Sequence, residues 1–329
     1  MRQWTVESVL ALPRGFMEAR VVLTAAELDV FTVLSKSSMS LDEAVAALGT
    51  APRGTAILLD ALSAMDLLDK KEGRYSCPRE VADLLSAESP STVLPMMLHA
   101  AGFWRRWSQL TEIVRRGSIE RPASVLDEKP GLDAFIHAMH VIGRRAADAI
   151  AGQAQADGAL NLLDVGGATG TYTEAFLRRY PQMRATIFDR PPVIELARER
   201  LANTDIMGRI ALAAGDFYTD ELPAGHDLAL LSAIIHQNSI EQNTALYGKV
   251  FRALVPGGRI LIRDHIMNAD RTQPAAGALF AVNMLAGTTG GNCYTFDEIR
   301  ESVEGVGFTD VRLLQSGEKM DSLVEAFKP

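Results

Sequence analysis

Cysteine is almost missing from this chain: Cys77 and Cys293 are the two in 329 residues. That excludes a disulfide framework and a zinc site built on cysteines. Long apolar runs are missing too. A membrane helix needs roughly 18 apolar residues, and the longest candidate, Leu228 to Ile235, is the length of a strand. Arg14, Glu18, Arg20 and Glu27 interrupt the N-terminal stretch, so no secretory leader is expected and the default location is the cytoplasm. Positive charge is in deficit. The net charge of −8 and the isoelectric point near 5.4 argue against a dedicated nucleic-acid binder. Repeats and low-complexity stretches are absent as well. What is present, with 47% hydrophobic residues, is ample material for a globular core, at a length that fits two domains.

The sequence changes character near residue 160. Before it, helical spacing dominates. Thr5 to about Ser35 reads as two helices, with Val21, Val22, Ala25, Leu28, Phe31 and Leu34 at helical spacing. Ser40 and Glu43 form a capping box for a helix over Leu41 to Leu48 that ends at Gly49. A second helix runs from Pro52 to about Met65. Leu67 to Cys77 then reads as a hairpin turning near Glu72-Gly73. Helix, helix, hairpin is a winged-helix pattern. The second helix carries Arg53 but is otherwise apolar and poor in residues that read bases, so packing against another subunit is its expected use. Pro95 to Leu110 and Leu132 to Ile150 read as helices. Met96, Met97, Phe103, Trp104 and Trp107 mark the first, and Phe135, Ile136, Met139, Ile142, Ala146 and Ile150 the second. Most of these are expected in a core. Phe103, Trp107 and Met139 are equally candidates for the wall of an aromatic-binding pocket, with His140 a further pocket candidate.

From Leu160 onward, short aliphatic runs alternate with helical stretches, the sign of a parallel α/β sheet. The first strand leads into Asp164-Val165-Gly166-Gly167-Ala168-Thr169-Gly170. Glycines let a backbone turn tightly and approach a ligand at a helix N-terminus. The dinucleotide fingerprint Gly-x-Gly-x-x-Gly fails, because Val165 stands at its first glycine. An acid at the strand end suits a ligand carrying positive charge, such as S-adenosylmethionine (SAM). Asp189 ends the second strand, where a carboxylate can accept ribose hydroxyls. Asp216 follows the third and can accept an adenine amino group while Phe217 lies against the ring. Three acids after three successive strands, preceded by this loop, make a SAM site the expectation.

These motifs, with Phe188-Asp189-Arg190-Pro191-Pro192 and Leu254-Val255-Pro256-Gly257-Gly258-Arg259, resemble the SAM-dependent O-methyltransferases of the caffeic acid and acetylserotonin type. The resemblance covers nearly the whole chain. It implies an α/β fold: a Rossmann-like methyltransferase domain over residues 156–329, preceded by a mostly helical winged-helix dimerisation domain over residues 1–90. Residues 91–155 are expected to supply linker and substrate-pocket helices. The implied cofactor is SAM, leaving S-adenosylhomocysteine (SAH), and the implied assembly is a homodimer. Metal, nucleic acid and membrane are not expected. His236 falls on the family's general-base position and Asp264 on one of the two acids beside it. The usual Asp-Trp after the base is replaced by Gln237-Asn238, a plant lysine by Ser232, and Cys293 stands about where the second acid belongs. Asp164, Gly166, Gly167, Gly170, Asp189, Arg190, Asp216, Phe217 and Ser232 are assigned to the cofactor. Phe103, Trp107, Met139, His140, Asn283 and Met284 are assigned to the acceptor.

The resulting expectation is methyl transfer to a small molecule, foremost to the hydroxyl of an aromatic compound. A phenol benefits from a base near neutrality, and His is that base. An S-, N- or C-methyltransferase of the same fold and a SAM-sensing winged-helix regulator remain as alternatives. Cys293 reads as a small buried group or a pocket-lining residue, since nothing near it in sequence is basic enough to activate a thiol.

Overall fold

The Glu43 N–H donates to Ser40 Oγ at 3.3 Å, and the Ser40 N–H donates to Glu43 Oε2 at 2.7 Å. This reciprocal cap starts its helix where the sequence pattern puts it, and such a cap is worth about 1 kcal/mol. The structure is a computed structural model that describes residues 3–119 and 129–329, without the side chains at positions 129–131, 133–135 and 142. The side chains of Phe135 and Ile142, expected among the helical core, lie outside the described residues, as does part of the expected linker at residues 120–128. The chain forms two compact units, residues 1–105 and 106–329.

In the first unit, α1 (Val6–Ala11), a 3₁₀ turn, α2 (Phe16–Glu27) and α3 (Val30–Lys36) replace the two helices expected there. Asp29, in left-handed conformation with φ of 56°, separates α2 from α3. The short strand β1 (Met39–Ser40) precedes α4 (Leu41–Leu48) and α5 (Pro52–Ala64). The hairpin strands β2 (Asp69–Lys71) and β3 (Arg74–Ser76) complete a sheet of order β1-β3-β2. Glu72 and Gly73 both have positive φ, as a two-residue hairpin turn requires. α6 (Arg79–Leu85) follows, and then α7 (Leu94–Trp107) begins. The apolar face of α5 is used by its own unit: Leu59 and Leu62 are fully buried with Phe31, Leu34 and Tyr75. Ile57, on the same helix, stays exposed, as do Val6, Leu10, Phe16 and Met17 along α1 and the start of α2.

The helix expected to end at Leu110 stops at Trp107, and α8 (Leu110–Arg116) follows it. The next expected helix is likewise two, α9 (Lys129–Gly143) and α10 (Ala147–Gln153), parted after Gly143. The larger unit then builds its sheet. Its parallel strands are β4 (Asn161–Val165), β5 (Arg184–Asp189), β6 (Ile210–Ala214), β7 (His226–Ser232) and β8 (Leu254–Asp264). β9 (Ile266–Met267) and β10 (Tyr294–Thr295) pair beside it, and β11 (Thr309–Gln315) and β12 (Ser322–Phe327) close one edge. The seven-stranded order is β11-β12-β8-β7-β4-β5-β6, with β12 antiparallel to both neighbours. β8 starts at Leu254, so Gly257 and Gly258 sit within it and pair with Lys328. The crossover helices are α11 (Thr171–Arg179), α12 (Pro191–Leu201), α13 (Ile240–Ala253) and α15 (Phe296–Gly305). The sequence reading has no counterpart for α14 (Ala275–Gly287). Two apolar clusters fill the two faces, Leu163, Val165, Leu231, Tyr247 and Ile262 on one and Leu162, Phe176, Ile187, Leu230 and Leu261 on the other. The strand order reverses around β4, between β5 and β7. In open α/β sheets ligands bind beyond the strand ends at such a switch point.

Candidate active site

The loop after β4 is held open from below. Gly166 has φ of 68°, and a Cβ there would lie 2.4 Å from Ile234 Cδ1, so only glycine fits. Gly167 and Gly170 complete the loop, and Gly170 is the N-cap of α11. Asp164 is buried beneath it and accepts the Thr173 hydroxyl at 2.6 Å. Burial lifts its carboxyl to about 6, against the Thr173 hydrogen bond. Asp189 accepts the N–H of Ala168 at 2.9 Å and that of Arg190 at 2.7 Å, which ties the end of β5 to the glycine loop. Burial raises its pKa as well. Asp216 accepts the Tyr218 N–H at 2.8 Å and shapes the turn that carries Phe217, whose ring edge lies 3.8 Å from a Cβ built on Gly166. Ser232, at the end of β7, accepts from Arg263 Nη1 at 3.1 Å.

His236 lies in a 3₁₀ turn, Ile235–Gln237, just beyond β7. Its Nδ1 is 2.9 Å from both oxygens of Asp264, the last residue of β8. A carboxylate only accepts, so Nδ1 carries the proton and Nε2 is left basic. Among the described residues Nε2 has no hydrogen-bond partner, and the ring keeps 12% side-chain exposure while Asp264 is at 1%. The turn is held by a polar network that the sequence reading missed. Tyr218 Oη donates to Asn238 Oδ1 at 2.6 Å, Asn238 Nδ2 to Asn243 Oδ1 at 3.0 Å, and Asn243 Nδ2 to the Ile235 carbonyl at 2.9 Å. Asn238 is thus a fully buried, paired support. Phe280 of α14, also missed, meets the His236 ring edge-to-face at 4.9 Å. Gly291 is pressed against the same turn: a Cβ there would lie 2.4 Å from the His236 carbonyl. Nothing in local periodicity marks Phe280, whereas Asn238 is reached through the departure of Gln237-Asn238 from the family's Asp-Trp.

The remaining expected residues are spread more widely. Trp107 Nε1 donates to Asn283 Oδ1 at 3.0 Å, so α14 and the end of α7 share a polar link, and Met284 is buried beside it in α14. His140 of α9 pairs through Nδ1 with Thr171 Oγ1 at 2.8 Å, beside the start of α11. Burial lowers its pKa. Met139 is half-buried on the same helix. Phe103 belongs to the first unit, where its ring packs on His99 at 4.4 Å. Cys293 is buried, and burial pushes its thiol up to about 12. Among the described residues no group of three or more His, Cys, Asp or Glu could hold a metal ion, and no helix is long and apolar enough to cross a membrane.

A family model described as the O-methyltransferase domain matches residues 132–309, and another, the O-methyltransferase dimerisation domain, matches residues 10–88. The 3-hydroxy-5-methyl-1-naphthoate 3-O-methyltransferase of Streptomyces sahachiroi is 30% identical over 92% of this chain and 90% of its own. The chain belongs to the SAM-dependent O-methyltransferases. The enzyme is also similar to the L-tyrosine C(3)-methyltransferase of Streptomyces lavendulae, at 28% identity over 86% of this chain and 81% of that one. The solved structure of PigF with SAH superposes with a TM-score of 0.88 at 25% identity, covering 99% of this chain and 100% of that one. SAM is the methyl donor of this family. The residues present fit it: a glycine cradle that side chains would fill, and buried carboxylates whose burial a cationic and hydroxyl-bearing ligand offsets.

Proposed function

We propose that this enzyme methylates a hydroxyl of a small aromatic compound, with His236 as general base and Asp264 as its orienting partner. One observation carries the reading. Ile234 packs against the glycine loop, and two residues on, His236 presents an unpartnered Nε2 with its other nitrogen fixed by Asp264. When bound, SAM supplies an electrophilic methyl on a sulfonium. Gly166, Gly167, Gly170 and Asp164 would hold its amino-acid end. Asp189, with Arg190 beside it, Asp216 and Phe217 would hold the nucleoside, and Ser232 borders the same crevice. His236 Nε2 takes the acceptor's hydroxyl proton, and Asp264 stabilises the resulting imidazolium. Trp107, Met139, His140, Asn283 and Met284 are proposed for the acceptor. The naphthoate relative supports an aromatic substrate class.

The same proposal includes a homodimer, supported by the dimerisation-domain match and the exposed apolar row on α1 and α2. It keeps residues 1–90, 91–155 and 156–329 as dimerisation, pocket-helix and catalytic segments. A cytoplasmic setting is supported by two free cysteines. The test is turnover of a panel of hydroxy-aromatic compounds with SAM, with the methylated atom located by fragmentation mass spectrometry. Products methylated on carbon, nitrogen or sulfur alone would overturn the oxygen-acceptor reading. A monomer in light scattering at micromolar protein would overturn the dimer.

A further inference from the structure

Arg263 lies one residue before Asp264 on β8, so its side chain takes the opposite face of the sheet. It is 5% exposed. Nη1 donates to Ser232 Oγ, the guanidinium stands 4.9 Å over the Tyr172 ring, and Nε has no partner. The Tyr172 hydroxyl faces Ser232 without a hydrogen bond of ordinary geometry and is itself buried and unpartnered. His265 Nδ1, two residues along the chain from Arg263, is a third buried polar atom with no partner. Asp164 and Asp321 are the carboxylates whose charge reaches Tyr172, and the charge of Asp264 reaches His265, yet among the described residues Arg263 makes no ion pair. A buried, uncompensated guanidinium is costly, and the unmatched Tyr172 hydroxyl beneath it adds to that cost. Structural burial alone gives no reason for an arginine here, because Leu261 and Leu323 on the same face are aliphatic.

We infer that Arg263, with Tyr172 and Ser232, forms an anion-recognising subsite that takes a carboxylate. This rests on the proposed SAM crevice, since Ser232 ends β7 and Tyr172 follows the glycine loop on α11. Guanidinium and carboxylate match in shape and charge, and the Tyr172 hydroxyl adds a second donor. Two carboxylates have the required chemistry: the one at the amino-acid end of SAM, and one carried by an acidic aromatic acceptor.

Calorimetry on the full-length enzyme separates them. SAH carries the carboxylate and 5′-methylthioadenosine lacks it. Arg263→Met is expected to weaken SAH about tenfold or more while leaving 5′-methylthioadenosine unchanged, which assigns the cofactor carboxylate. Unchanged SAH affinity with weakened binding of a hydroxynaphthoic acid, but not of its carboxamide, assigns the acceptor. Equal effects on each pair overturn the subsite. Retained 5′-methylthioadenosine binding shows that the variant is folded. If Arg263→Met does not fold, Tyr172→Phe, which removes one hydroxyl, carries the same comparison, with a loss of about three- to tenfold expected. Wild-type protein that binds neither adenosine ligand would instead defeat the SAM reading.

Discussion

The proposed donor and acceptor halves of the site are built in different ways. The donor half comes from successive strand ends, β4, β5 and β6, each followed by a loop within a few residues of its acid. The proposed acceptor half gathers a 3₁₀ turn and the end of β8 with Trp107, α9 and α14, elements far apart in the chain. Their electrostatics differ as well. Burial raises the carboxyls of Asp164 and Asp189, whereas Asp264 already has its partner in His236.

The comparison is tested hardest at His236. His236→Ala should lower kcat by about 10²–10⁴-fold and leave SAH affinity nearly intact, while Asp264→Asn should cost less because it acts through the ring. Calorimetry and initial rates on the same preparations separate the halves. A loss confined to SAH binding would mean that His236 belongs to the donor half. A Gly166→Val substitution should do the reverse. It forces a branched side chain into left-handed backbone against Ile234 and should weaken SAH by about 100-fold, with near-normal folding by circular dichroism. Wild-type SAH affinity would show that the loop does not bind the donor.

The placing of the glycine loop and its acids at strand ends was legible in the sequence, because glycines and acids there have fixed meaning. Asp189 ends β5, where the sequence places it. His236 and Asp264 were legible only through resemblance, since 28 residues separate them and the fold alone brings them to 2.9 Å. α14 was not legible at all. Ala275 to Val282 is apolar on every side, so it carries no helical periodicity, and Phe280 went unseen with it. The apolar second helix is only half explained by its composition, which shows that a face is apolar and not which neighbour covers it: Leu59 and Leu62 are covered from within, while Ile57 stays exposed.

A smaller effect separates the halves by pH. Burial holds Asp164 near 6, above its unfolded value. Its contribution to the stability of the free enzyme is therefore fully present below about pH 4 and is lost as pH rises through about 6. Affinity for the ammonium of SAH runs the other way, because the ligand favours the ionised acid. SAH binding should weaken about tenfold between pH 7 and pH 5, and Asp164→Asn should abolish that dependence. Calorimetry at four pH values decides it, and a flat profile in the wild type removes Asp164 from the donor half.

The smallest effect is expected at Cys293, in the acceptor half. The residue is 1% exposed, and its thiol is pushed up to about 12, first by burial and then by the charge of Asp264. At pH 8 only about one thiol in ten thousand is then ionised, and the thiolate is the reactive form. Iodoacetamide at pH 8 should leave Cys293 unmodified in the folded enzyme and label it after denaturation, read by peptide mass spectrometry. Cys293→Ala removes one small buried atom and leaves the His236–Asp264 pair in place, so kcat should stay within about threefold at a modest cost in stability. Rapid labelling, or a loss near that of His236→Ala, would put the thiol in the chemistry. The expected silence means that Cys293 does not take the place of the second acid that the resemblance implies.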